Sequence, residues 1–124
     1  MSHKQILIVD DDYTVRATVE LSLEVTTNWE ILTACSGKEG LSLARAKPPD
    51  LILLDVMMPG IDGLEVLRQL RNDSATQAIP VVFLTAKTPI EKQEHLKDLK
   101  VRGVISKPFD AINLGKQICL LLNW

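Results

Sequence analysis

The run Leu51-Ile52-Leu53-Leu54, followed by Asp55 and then by Met57-Met58-Pro59-Gly60, constrains this chain more than any other stretch. Four consecutive branched apolar residues are too few for a helix and leave no polar face. They read as a strand covered on both sides, the usual state of a strand in a parallel sheet. A carboxylate is costly to bury. Asp55, which ends the run before a loop containing Pro and Gly, therefore belongs at the carboxyl edge of that sheet. Open α/β sheets bind ligands in crevices at this edge, which makes Asp55 the first candidate for chemistry.

The rest of the chain repeats the pattern. Gln5 to Val9 is a second apolar run, ending in Asp10-Asp11-Asp12. From Tyr13 to Val25, apolar Val15, Val19, Leu21, Leu23 and Val25 recur at loosely helical intervals, with Asp12 as the N-cap. Trp29 to Cys35 mixes apolar and polar residues as an edge strand does. Ser36 and Glu39 have the spacing of a capping box before a helix that stops at Pro48-Pro49. Asp62 and Glu65 repeat that spacing, and Leu64, Val66, Leu67 and Leu70 form the following helical stripe. Ile79 to Thr85 is an apolar strand ending in a hydroxyl. Thr88-Pro89-Ile90-Glu91 then starts a polar helix running to about Lys100. Gly103 to Ser106 is a short last strand that delivers Lys107-Pro108, and a final helix runs from near Asp110 to the C-terminus. Five strands alternating with five helices imply an α/β fold, a doubly wound parallel sheet with helices on both faces.

A chain of 124 residues, 46% hydrophobic and 24% charged, is expected to form one globular domain over residues 1–124. A net charge of −2 gives no electrostatic footprint for nucleic acid, and no cationic run suggests a membrane surface. No apolar stretch approaches the roughly 18 residues of a membrane span, and the N-terminus lacks the apolar segment of a signal peptide, so the expected location is the cytoplasm. Cys35 and Cys119 lie in no metal-binding spacing and read as buried thiols.

Four of the five strands end in a polar functional group: Asp10 and Asp11, Asp55, Thr85, and Lys107. One of the three N-terminal aspartates suffices to start a helix. Carboxylates converging within about 4 Å repel by roughly 4 kcal/mol per pair at an effective dielectric of 20, so such a cluster calls for a cation. Oxygen ligands with room for water suit Mg²⁺. A Mg²⁺ ion, the Lys107 ammonium and the Thr85 hydroxyl around one carboxylate would be complementary to a phosphoryl group on it.

These residues resemble the receiver domains of two-component response regulators. The resemblance spans Ile6 to Asp12, Leu53 to Gly60, Phe83 to Lys87 and Lys107 to Phe109. It implies a flavodoxin-like five-stranded sheet in the order 2-1-3-4-5. It also implies that Asp55 accepts a phosphoryl group from a sensor histidine kinase or phosphotransfer protein. By the same resemblance, Asp11, Asp55 and the main-chain carbonyl of Met57 bind Mg²⁺, with Asp10 acting chiefly through metal-bound water. Lys107 then pairs with the phosphoryl oxygens, Thr85 reports their presence, Ala86 leaves space beside them, and the Lys107–Pro108 bond is cis. Such a domain promotes its own phosphorylation and dephosphorylation but is not an enzyme acting on an external substrate. Its output is a changed surface on the last strands and helices. Val104 stands where most relatives carry an aromatic residue that follows the threonine, which points to coupling through backbone shifts or to weaker coupling. The resemblance also implies that Met57 and Lys87, two places after Asp55 and Thr85, would flank the route of hydrolytic water and slow hydrolysis.

Two rival readings belong to other classes. A phosphatase-type hydrolase with Asp55 as nucleophile usually places a second acid two residues on, where Met57 stands. A receiver-like module that is never phosphorylated would not need the complete Asp, Thr and Lys set. In the last helix Ala111, Leu114, Ile118, Leu121 and Leu122 form the core face, and Ile112, Cys119, Leu120 and Trp124 form a second apolar strip. That strip predicts a homodimer or a docked partner, unless chain-end residues fold back over it.

Overall fold

A computed structural model of the chain describes residues 3–85 and 100–124. Strands β1 (Gln5–Val9), β2 (Glu30–Ala34), β3 (Leu51–Asp55), β4 (Val81–Thr85) and β5 (Gly103–Ser106) form one sheet in the order β2-β1-β3-β4-β5. Every neighbouring pair is parallel. The strand order reverses direction at β1 and β3, which opens a crevice at their carboxyl ends. The described helices are α1 (Tyr13–Thr26), α2 (Gly37–Ala46), α3 (Gly63–Arg71) and α4 (Leu114–Leu122). The helix expected from Thr88, with Ala86 and Lys87 before it, lies outside the described residues.

The pleat sorts the apolar residues. Leu7, Val9, Ile52, Leu54, Val81 and Phe83 point to the side covered by α2 and α3. Their neighbours Ile6, Ile8, Leu51, Leu53, Val82 and Leu84 point to the side covered by α1 and α4. Because β1, β3 and β4 are covered twice, their sequences read as unbroken apolar runs. The expected caps form. Asp12 accepts from the Thr14 and Val15 N–H groups at 2.8 and 3.4 Å. Ser36 accepts from Glu39 N–H at 3.1 Å, and Asp62 from Glu65 N–H at 3.0 Å. Glu39 reaches back one residue further than a capping box requires, accepting from Cys35 N–H at 2.7 Å.

Four local expectations are corrected. The two thiols are not buried: Cys35 is exposed and Cys119 half-buried. The last helix begins at Leu114, not near Asp110. Asp110 instead closes a turn, accepting from Ile112 N–H at 3.2 Å and from the Asn113 side chain at 2.6 Å, which competes with helix formation. Ala111 therefore sits in that turn, and the fully buried face of α4 is Leu114, Ile118 and Leu122. On α1, Val19 and Leu23 are buried, but Leu21 and Val25 are 63% and 74% exposed, since residues two apart on a helix point in different directions. Trp124 is folded back. Asn123 takes a left-handed conformation (φ 63°), Trp124 N–H bonds to the Cys119 carbonyl at 2.9 Å, and the indole lies edge-on to Trp29 with ring centroids 5.4 Å apart. Ile112 and Leu120 remain open, at 78% and 83% exposure.

Candidate functional site: a carboxylate cluster at the carboxyl edge of the sheet

β1 and β3 run side by side with Val9 opposite Leu54, so the residues that follow them, Asp10 and Asp11, meet Asp55 at the end of β3. Carboxylate oxygens of Asp10, Asp11 and Asp55 all lie within 4.8 Å of one another; Asp10 and Asp55 are buried and Asp11 is exposed. β5 delivers the cation. Lys107 Nζ lies 2.8 Å from Asp10 Oδ2 and 3.7 Å from Asp55 Oδ1. The Lys107–Pro108 bond is cis. Thr85 is buried at the end of β4, and its carbonyl accepts from Lys107 N–H at 2.7 Å.

The oxygens are not equivalent. Both of Asp10 are engaged, Oδ2 by Lys107 and Oδ1 by Asp12 N–H at 2.9 Å. Asp55 Oδ1 accepts from Met57 N–H at 3.1 Å. Among the described residues, none donates a hydrogen bond to Asp55 Oδ2 or to the Asp11 carboxylate. A small oxygen-seeking cation fits that donor set.

Burial, and next the charge of Asp10, push the Asp55 carboxyl up from 3.8 to about 6, against the Met57 N–H and Lys107, which act to lower it. The folded chain therefore holds this proton more tightly than the unfolded chain. The contribution of Asp55 to the stability of the metal-free protein thus falls as pH rises from 3.8 to about 6 and then levels off. Asp55→Asn removes that fall. Discounted for the solvent-facing side at Asp11, it stabilises the protein by about 1–3 kcal/mol above pH 6 and by nothing below pH 4. Thermal melts of both proteins in EDTA across this range check it; parallel pH profiles would contradict it.

Over residues 6–119 the sequence matches the model of the response regulator receiver domain family. The chain is a receiver domain. Protein PilH of Pseudomonas aeruginosa is 37% identical over 118 residues, covering 95% of this receiver and 97% of PilH. The phosphate regulon transcriptional regulatory protein PhoB of the same species is 39% identical and covers 99% of this chain, which spans 53% of PhoB. The chain spans 35% of a third relative, the transcriptional regulatory protein AfsQ1 of Streptomyces coelicolor, at 46% identity over 82 residues. Among solved structures, the Vibrio cholerae chemotaxis protein CheY4 superposes with a TM-score of 0.89 at 31% identity, over 97% of this chain and 99% of that one.

The receiver brings Asp10, Asp11, Asp55 and Lys107 together as the sequence predicts. Met57 is 71% exposed beside Asp55, and half-buried Val104 lies in β5 opposite Phe83. Ala86 lies outside the described residues. Ile112, Leu120 and Trp124 belong to a different face, lining a groove beside α4. The sequence reading missed Arg16. Its Nη1 donates to the Asp10 carbonyl at 2.7 Å, and its guanidinium lies 5.7 Å from the Tyr13 ring centroid. Its place four residues after Asp12, one turn into α1, was the available signal. Among the described residues, no helix is long and apolar enough to cross a membrane.

Proposed function

We propose that this receiver is a phosphoacceptor of a two-component relay. An Asp55 carboxylate oxygen attacks the phosphorus of a phosphohistidine on a sensor histidine kinase or phosphotransfer protein. The P–O bond forms as the P–N bond breaks, and histidine takes up a proton as the neutral leaving group. The observation that carries this reading is the convergence of Asp10, Asp11, Asp55 and Lys107 at one sheet edge. With its carboxyl at about 6, Asp55 is mostly ionised at neutral pH, as a nucleophile must be.

Asp11, Asp55 and the Met57 carbonyl are the residues that would hold Mg²⁺, with Asp10 acting through bound water because both its oxygens are engaged. When bound, Mg²⁺ neutralises charge on the phosphoryl oxygens. Lys107, already near both Asp10 and Asp55, pairs with one of those oxygens, and the Thr85 hydroxyl hydrogen-bonds another. The acyl phosphate adds nearly two negative charges and favours one arrangement of β4, β5 and the segments after them. The Lys107–Thr85 backbone bond joins the two strands that respond, so Val104 need supply no ring. The output is altered binding of a protein partner.

Incubation with acetyl phosphate and Mg²⁺ tests the proposal by intact mass. The expected result is a gain of one phosphoryl group, absent in Asp55→Ala and in EDTA. No gain under conditions that label another receiver would overturn it and favour an interaction module that is never phosphorylated.

A further inference from the structure

We propose that Arg16 is a positioning residue for the cation site: by fixing the peptide between Asp10 and Asp11 it aims the Asp11 carboxylate and raises its affinity for Mg²⁺. This role rests on Asp11 and Asp55 holding Mg²⁺, as proposed above. Asp10 is held at all of its polar atoms. Its N–H donates to the Ala34 carbonyl at 3.1 Å, Oδ1 accepts from Asp12 N–H at 2.9 Å, Oδ2 from Lys107 Nζ at 2.8 Å, and the carbonyl from Arg16 Nη1 at 2.7 Å. Asp11 is the opposite case, exposed and with no hydrogen bond donated to its carboxylate among the described residues. Its direction is therefore set by the backbone on either side of it. Arg16 grips both sides: Nη1 holds the carbonyl before Asp11, and the Arg16 N–H donates to the Asp12 carbonyl after it at 3.1 Å.

The guanidinium serves the main chain and not the carboxylates. Asp10, Asp11 and Asp12 are all close to Arg16 in sequence, yet among the described residues it forms an ion pair with none of them. Arg16 is half-buried, and the Tyr13 ring, its centroid 5.7 Å away, makes a cation–π contact that narrows where the long side chain can reach. A charge-assisted hydrogen bond is about twice as strong as a neutral one. It fixes the Asp10–Asp11 peptide before a cation arrives, so binding need not order that turn. Two effects of Arg16 oppose each other at the cation: this ordering favours binding, and the like charge of the guanidinium disfavours it. The charge is partly open to solvent and screened, whereas the direction of Asp11 decides whether a ligand is present at all, so ordering prevails. A buried carbonyl needs a partner in any case, and a purely structural Arg16 would meet that need without touching cation affinity.

Calorimetric titration of the metal-free protein with Mg²⁺ reads the affinity directly, with no phosphoryl group involved. The wild type should bind Mg²⁺ and Asp11→Asn should lose that binding, which ties the heat to this site. Arg16→Met keeps much of the side-chain bulk and removes the donor. It should bind about 10-fold more weakly, the lower end of the loss usual when a group that orients a metal ligand is removed. Arg16→Lys, which keeps a cationic donor, should recover part of that loss. Urea unfolding of each protein in EDTA measures stability separately. An Arg16→Met protein that is less stable but binds Mg²⁺ as tightly as the wild type overturns the proposal and leaves Arg16 a structural role alone. Tighter binding by Arg16→Met overturns it as well, since the repulsion of the guanidinium would then outweigh its hold on the turn. A wild type that binds no Mg²⁺ overturns the proposed Mg²⁺ site and this role with it.

Discussion

Replacing Lys107 with methionine lowers the stability of the metal-free protein by about 3 kcal/mol, a fall of roughly 10 °C in Tm for a domain of this size. The reason is what remains. The Asp10 side chain is 1% exposed and takes its ion pair from Lys107 at 2.8 Å, with Asp55 close by as a second buried acid. Methionine keeps most of the packing volume but leaves two neighbouring carboxylates without their cation, and stranding a buried charge costs far more than the intact pair contributes. A double-mutant cycle separates the terms. Asp10→Asn in the Lys107→Met background should recover most of the loss, because it removes the stranded charge as well. Urea unfolding of the four proteins in EDTA measures it, and a Lys107→Met protein as stable as the wild type would show that solvent already screens Asp10. Added Mg²⁺ should narrow the deficit, since a carboxylate cluster that has lost its ammonium would bind a cation more tightly than the wild type and gain more stability from it.

Gly63→Ala is expected to cost about 3 kcal/mol, although the new atom is a single methyl at the first residue of a helix. Built on this backbone, a Cβ at residue 63 would lie 2.4 Å from the carbonyl oxygen of Asp55 and 2.7 Å from Val56 Cα. Neither neighbour is a flexible side-chain end that could turn aside. Gly63 N–H also donates to the Val56 carbonyl at 2.9 Å, so the loop from β3 to α3 closes back on the strand that carries Asp55. Relief of the clash requires moving α3 or the end of β3, and the second displaces Asp55. The variant should lose stability in urea and also take up the phosphoryl group from acetyl phosphate more slowly than the wild type. A loss below about 1 kcal/mol with unchanged labelling would mean that the loop yields without disturbing Asp55.

The site was legible in this sequence because chemistry falls at strand ends. Asp10, Asp11, Asp55 and Lys107 each close a short apolar run, and in a parallel sheet all such ends lie at one edge, so order along the chain already implies convergence in space. Caps were legible for a similar reason, since Asp12, Ser36 and Asp62 act on backbone groups two or three residues away. Non-local contacts were not. The clash that reserves position 63 for glycine involves a strand eight residues back, and the spacing of Asp62 and Glu65 describes the cap without it. Arg16 holds the Asp10 carbonyl through a side chain whose direction only the packed helix sets.

The exposed surface shows the same division. The sequence by itself determined a doubly wound parallel sheet and the place of its carboxylates, because strand periodicity and local capping act over a few residues. Tertiary structure alone decided which oxygens of the cluster are engaged, and that Trp124 turns back onto Trp29 while Leu21, Val25, Ile112 and Leu120 stay open together. Those outcomes depend on how α1 and α4 pack against one face of the sheet, a contact between segments about 90 residues apart, as in the Ser22–Ala111 bond, that no local pattern encodes.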